Sequence, residues 1–291
     1  MKKILSFLAM MAFFTGRLAA QMPETGKVEY KTMPSTILKE DREYAIFLPA
    51  GYEKNRDKYY PVLYLLHGGG GSHTDWPKQG QLETIANQLI ASNEACEMII
   101  VCPEAGKTFM NYFNSPEWRY QDYFFGEMIP YIESHYRING DKKHRAIAGL
   151  SMGGGGTVVY ATTHPELFCA AYEMSAYLYR QKLQFIDPKD TVMEKVQKLV
   201  ENNNCVKIIQ NATPQKTEAL KTVKWFIDCG DDDFTFDPNM EFISAMRAKQ
   251  IPYELRVRDG GHTWEYWRSA LYIALPYVSN CFRAMDYDKV N

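Results

Sequence analysis

A serine, a histidine and a cluster of aspartates stand in this sequence in an order suited to acyl transfer. Ser151 lies in Gly149-Leu150-Ser151-Met152-Gly153. The short apolar run Arg145 to Ala148 precedes it, and Gly154-Gly155-Gly156-Thr157-Val158-Val159-Tyr160 reads as the start of a helix. A lone GxSxG recurs by chance, but strand, tight turn and helix are the setting that a nucleophile elbow demands. A helix N-terminus behind the serine also favours developing negative charge. A serine hydroxyl needs a base to take its proton. His262, in Gly260-Gly261-His262-Thr263-Trp264, follows the last strand-like run and precedes the final helical one, the place of the base in the order Ser…Asp…His. The other histidines fit less well: His135 and His144 flank a helix-to-strand connection, His164 ends a helix and His73 lies in a loop. A carboxylate should orient the imidazole. Asp228, Asp231, Asp232, Asp233 and Asp237 crowd after the penultimate strand-like run. Asp228 falls within the strand, and periodicity does not choose among the three consecutive aspartates.

An oxyanion needs backbone N–H donors. His67-Gly68-Gly69-Gly70-Gly71 follows the apolar run Val62 to Leu66, and glycines there let the backbone approach a substrate. One such amide, with that of Met152, would complete the hole. A phosphate-cradling loop is the competing reading, but the Gly-Lys-Ser/Thr ending is missing.

The elements that must position these residues alternate. Tyr44–Leu48, Val62–Leu66, Met98–Cys102, Arg145–Leu150, Ala170–Ser175, Val223–Cys229 and Tyr253–Val257 read as strands. Helical stretches at Leu82–Ala91, Gln121–His135, Gly153–Thr163, Met240–Lys249 and Trp264–Phe282 lie between and after them. That rhythm predicts βαβ units and a mostly parallel central sheet flanked by helices, an α/β fold. Residues 177–221 interrupt it with a polar stretch that reads equally as a cap or lid and as a long crossover.

Composition is that of a globular chain, 46% hydrophobic and 23% charged, and a net charge of -2 speaks against nucleic acid as a partner. Lys2 and Lys3, the apolar run Ile4 to Phe14 and Leu18-Ala19-Ala20 have the order of a secretory signal peptide over residues 1–20, with Arg17 a slightly awkward neighbour of the cut. The expectation is cleavage after Ala20, a secreted or periplasmic protein, and one catalytic domain over 21–291. The run is too short to span a bilayer, and no Cys follows it to carry a lipid, so no membrane anchor is expected. The six cysteines show no CxxC or Cys/His spacing, so no metal is expected, and disulfide pairing stays open.

Taken together, Tyr64-Leu65-Leu66-His67-Gly68-Gly69-Gly70-Gly71-Ser72 with Asp75-Trp76, Ile129-Pro130-Tyr131-Ile132-Glu133, His144 to Gly154, and Gly260-Gly261-His262 resemble the esterase D-like family. That family includes feruloyl and acetylxylan esterases of carbohydrate esterase family one, S-formylglutathione hydrolases and mycolyltransferases. The likeness runs from about Tyr44 to Trp267, and residues 177–221 match nothing in it. It implies an α/β-hydrolase fold, Ser151 as nucleophile and His262 as base. Through Cys229-Gly230-Asp231-Asp232-Asp233 it places the acid at Asp233. It implies oxyanion amides at Met152 and at Gly68 or Gly69, and no cofactor. The expected partner is a small or polysaccharide-linked ester, with feruloyl or acetyl groups on xylan the best fit for an exported enzyme. Acyl transfer to a sugar and a non-catalytic carbohydrate-binding protein are the alternatives. Trp76, Trp118 and Trp264 are candidate ring platforms, each read equally well as core.

Overall fold

A computed structural model describes residues 24–106, 111–178 and 191–287. The expected signal peptide, residues 1–20, lies outside them. Eight strands form one sheet: β1 (Lys27–Ser35), β2 (Glu40–Leu48), β3 (Val62–Leu66), β4 (Ile99–Pro103), β5 (Arg145–Leu150), β6 (Ala170–Met174), β7 (Lys224–Gly230) and β8 (Tyr253–Arg258). Their spatial order is β1-β2-β4-β3-β5-β6-β7-β8. β1 and β2 pair antiparallel, as do β2 and β4, and every pairing from β4 to β8 is parallel.

The central strands are apolar without alternation because both faces of the sheet are covered. Successive side chains of β3 point to opposite faces. Tyr64 and Leu66 join one core with Ile147, Val158 and Tyr160, while Leu63 and Leu65 join the other with Ala146 and Ala148. The first core is covered by helix α5 (Met152–Thr163), and the second by α2 (Leu82–Ala91) and the long α10 (Trp264–Tyr287). The predicted fold class therefore stands.

Three differences from the expected elements have local causes. β1 carries Lys27, Glu29, Lys31 and Pro34 on an open sheet edge, where half-exposed polar residues and a proline are tolerated, so its sequence lacks an apolar run. A four-residue helix, α1 (Asp75–Lys78), is too short to show a period. The helix expected over Gln121–His135 is present, but as α3 (Tyr120–Tyr123), a π-helical turn (Phe124–Met128) and α4 (Ile129–His135). Pro130 cannot donate to the carbonyl four residues back and its ring crowds it, and the widened turn ahead accommodates that.

Within 177–221 the described part holds α6 (Thr191–Asn202), α7 (Cys205–Gln210) and α8 (Pro214–Lys221), with residues 179–190 outside the description. α7 packs on α5 and on α9 (Phe236–Ala248). Among the described residues no disulfide joins the cysteines. Among the described residues no helix is long and apolar enough to cross a membrane.

Candidate active site

The site gathers at the carboxyl ends of β3, β5, β7 and β8. Ser151 sits between β5 and α5 with φ +53° and ψ −116°, a backbone conformation that costs a residue with a Cβ on the order of 1–3 kcal/mol. Three hydrogen bonds hold the turn. The Ser151 amide donates to the Met174 carbonyl at 2.9 Å, and the amides of Gly155 and Tyr177 both donate to the Ser151 carbonyl at 2.9 Å. The flanking glycines are there for close approach. A Cβ on Gly149 would lie 2.4 Å from the Gly153 carbonyl oxygen, and one on Gly153 would lie 2.5 Å from that of His67.

From the Ser151 hydroxyl a chain of hydrogen bonds leads inward. His262 Nε2 lies 2.8 Å from Ser151 Oγ, and His262 Nδ1 lies 2.9 and 3.0 Å from the two Asp233 oxygens. Asp233 Oδ1 also accepts from the Thr235 amide at 2.9 Å and the Thr235 hydroxyl at 2.7 Å. Burial alone would raise the Asp233 pKa. The hydrogen bond and charge of His262, with the two Thr235 donors, outweigh it and hold the carboxyl below its ordinary range.

The competing aspartates are placed elsewhere. Asp228 points into the core, accepting from the hydroxyls of Tyr172 and Tyr266 at 2.6 Å each and pairing with Arg258 at 3.5 Å. Asp231 and Asp232 are exposed and tie the β7 turn to the β8 turn, through Gly260 N to Asp231 Oδ1 and Asp232 N to Gly260 O. Asp237 is exposed in the first turn of α9. Asp233 alone of these reaches the imidazole.

Met152 supplies the first amide of α5, and Gly68 and Gly69 line the cleft above Ser151. That cleft encloses about 260 Å³ and is walled by Asp75, Phe234, Trp264 and Trp267 beside the glycines. Of the ring candidates, Trp264 faces the cleft. Trp76 is buried beneath it, its indole N–H donating to the Leu66 carbonyl at 2.9 Å, and Trp118 stacks on Tyr120 outside it. Two aromatic walls were not expected. Trp267 stands edge-on to the His262 ring at 4.8 Å and donates to the Ser175 hydroxyl at 3.1 Å. Its spacing of three from Trp264 on α10 was the available signal. Phe234, next to Asp233 in sequence, lies 4.4 Å from the His262 ring and is 56% exposed.

A further carboxyl lies beneath the site. Glu173 on β6 accepts from the Ala176 amide at 3.0 Å through Oε2, while Oε1 has no partner among the described residues. Burial, with some repulsion from Asp228 and Asp233 and against the pull of the Ala176 amide, drives its pKa well up.

Residues 35–278 match the Esterase family ("Putative esterase"). The chain is 32% identical to an endo-1,4-beta-xylanase/feruloyl esterase of Xylanibacter ruminicola over 78% of its own length, spanning 28% of that larger protein. It is 23% identical to an acetyl esterase of Caldicellulosiruptor saccharolyticus, covering 87% of this chain and 95% of that one. Among solved structures it superposes on a ferulic acid esterase with a TM-score of 0.85 at 46% identity, over 89% of this chain and 99% of the other. The chain thus belongs to the esterase family, as a serine carboxylic-ester hydrolase of the α/β-hydrolase fold.

Proposed function

We propose that the chain is exported and removes feruloyl or acetyl groups from plant cell-wall xylan, with Ser151, His262 and Asp233 as its catalytic triad. The observation that carries this reading is the unbroken hydrogen-bonded chain from Asp233 through His262 to Ser151, opening on an aromatic cleft. With Asp233 ionised, the proton of the neutral imidazole sits on Nδ1. Nε2 is then free to take the Ser151 proton as Oγ attacks the ester carbonyl. The oxyanion rests on the amides of Met152 and of Gly68 or Gly69. The imidazolium returns its proton to the departing alcohol, leaving an acyl-serine. Water repeats the sequence from the acyl side and releases the acid. The likeness to esterases of feruloyl and acetyl groups supports the substrate class, and aromatic walls suit a planar acyl group or a sugar ring.

The test is release of acid from methyl ferulate, acetylated xylan and short-chain aryl esters by purified protein, beside Ser151→Ala. Loss of several orders of magnitude in kcat with Ser151→Ala is expected. Wild-type turnover by that variant would end the triad reading. Activity on aryl esters with none on methyl ferulate or acetylated xylan would end the substrate reading. A reaction that gives a new sugar ester in place of free acid when a sugar acceptor is added would assign the chain to acyl transfer.

A further inference from the structure

Acyl transfer requires the amides of the glycine loop after β3 to be held in place. His67, the residue before the glycines, is 1% exposed, and both of its ring nitrogens are engaged. Nε2 lies 3.1 Å from the Ala105 amide. A backbone N–H can only donate, so Nε2 must be the unprotonated nitrogen and the ring proton must sit on Nδ1. Nδ1 lies 2.8 Å from the Gly68 carbonyl oxygen and therefore donates to it. The same carbonyl accepts from the Gly71 amide at 3.2 Å. Burial lowers the pKa of the ring, in keeping with this neutral tautomer. Glu104 Oε1 stands 3.9 Å from Nε2, too far for a hydrogen bond to a nitrogen that is already accepting one.

The Gly68 carbonyl is thus pinned from the inner side of the loop. In a planar trans peptide the next N–H points opposite to the carbonyl. The Gly69 amide is thereby turned away from the imidazole, towards the cleft that Gly69 lines, and it donates to no group among the described residues. We infer that His67 is a positioning residue for acyl transfer: its neutral, Nδ1-protonated ring orients the Gly68–Gly69 peptide so that the Gly69 amide serves the oxyanion. The inference rests on the triad reading and deepens it. The far nitrogen anchors the ring to the residue two positions beyond β4, so the oxyanion loop is referenced to two strands of the sheet.

Two substitutions separate the two nitrogens. In His67→Asn the side-chain amide nitrogen occupies the place of Nδ1 and can still donate to the Gly68 carbonyl, but nothing reaches Ala105. In His67→Gln the amide group extends to the place of Nε2 and can accept from Ala105, while no donor lies beside Gly68. With methyl ferulate, His67→Gln is expected to lose about 100- to 1,000-fold in kcat, the cost of one oxyanion donor, with KM changed less than about threefold. Its rate of phosphonylation by a fluorophosphonate should fall in parallel. His67→Asn should stay within about tenfold of wild type in both. A third measurement needs no variant. Nitrogen-15 NMR of histidine-labelled wild-type protein should show His67 protonated at Nδ1 and unprotonated at Nε2. Equal kcat for His67→Gln and wild type, a larger loss for His67→Asn than for His67→Gln, or a proton on Nε2 in the wild type would overturn the inference. Full activity in Ser151→Ala would instead remove the triad reading on which it rests.

Discussion

Replacing Glu173 by glutamine should change how stability depends on pH, in a direction that the burial of this carboxyl dictates. In the folded chain the carboxyl is 2% exposed, one oxygen has no partner among the described residues, and its pKa is raised well above the reference of 4.5. In the unfolded chain it ionises near that reference. Between the two values the unfolded state has released a proton that the folded state retains. Stability therefore falls as pH rises, by about 1.4 kcal/mol per pH unit from this group alone. Glutamine keeps the shape and the acceptor for the Ala176 amide but cannot ionise. Over any two pH units inside the window, Glu173→Gln should thus gain about 2.7 kcal/mol on the wild type. Below the unfolded-state value the two should differ by a constant. The assay is urea unfolding at a series of pH values from about 4 to about 8, taking midpoints and slopes for both proteins. Parallel stability–pH curves for the two would show that Glu173 ionises alike in both states, and the argument from its burial would fail.

Two further expectations concern the site. Thr235 donates twice to Asp233 Oδ1, so in Asp233→Asn the amide oxygen must keep that place and the NH2 must face His262 Nδ1. The imidazole then carries its proton on Nε2 and cannot accept one from Ser151. A loss of about 10,000-fold in kcat with KM nearly unchanged is expected by steady-state kinetics, and a variant within tenfold of wild type would count against the assignment. Phe234→Ala removes an exposed ring at the cleft, so thermal stability should hardly move. KM for methyl ferulate should rise by about 2- to 12-fold, the worth of one aromatic contact, against little change for a short alkyl acetate; equal effects on both esters would show that the ring serves the imidazole and not the substrate.

The parts of this molecule legible in the sequence are those whose signal is local. The strands β3 to β7 announce themselves as apolar runs because both sheet faces are buried, and the order of Ser151, an aspartate and His262 follows from the order of those strands. Periodicity could not separate Asp233 from Asp231 and Asp232, and only the resemblance to the family pointed to it, since what distinguishes it is burial against Thr235 and reach to a histidine 29 residues on, both products of the turn after β7. β1 stayed hidden because an edge strand need not be apolar. Phe234 could be recognised as a cleft wall only once the β7 turn met His262, and Trp267 offered no signal beyond its spacing from Trp264. The π turn before Pro130 likewise replaces hydrogen bonds that no spacing of apolar residues records.

The positive φ of Ser151 sets the needs of the fold against those of the reaction. At φ +53° the residue most at ease is glycine, which has no Cβ to crowd the backbone. Random drift towards greater thermal robustness at this position would therefore favour a side chain that cannot attack anything. The serine is held by its surroundings, through the three backbone bonds and the packed glycines on either side, and their combined grip must exceed the discomfort they impose. A sheet loosened by mutation far away would relax this turn before it exposed the core, so catalytic output should decline earlier than any global probe of unfolding.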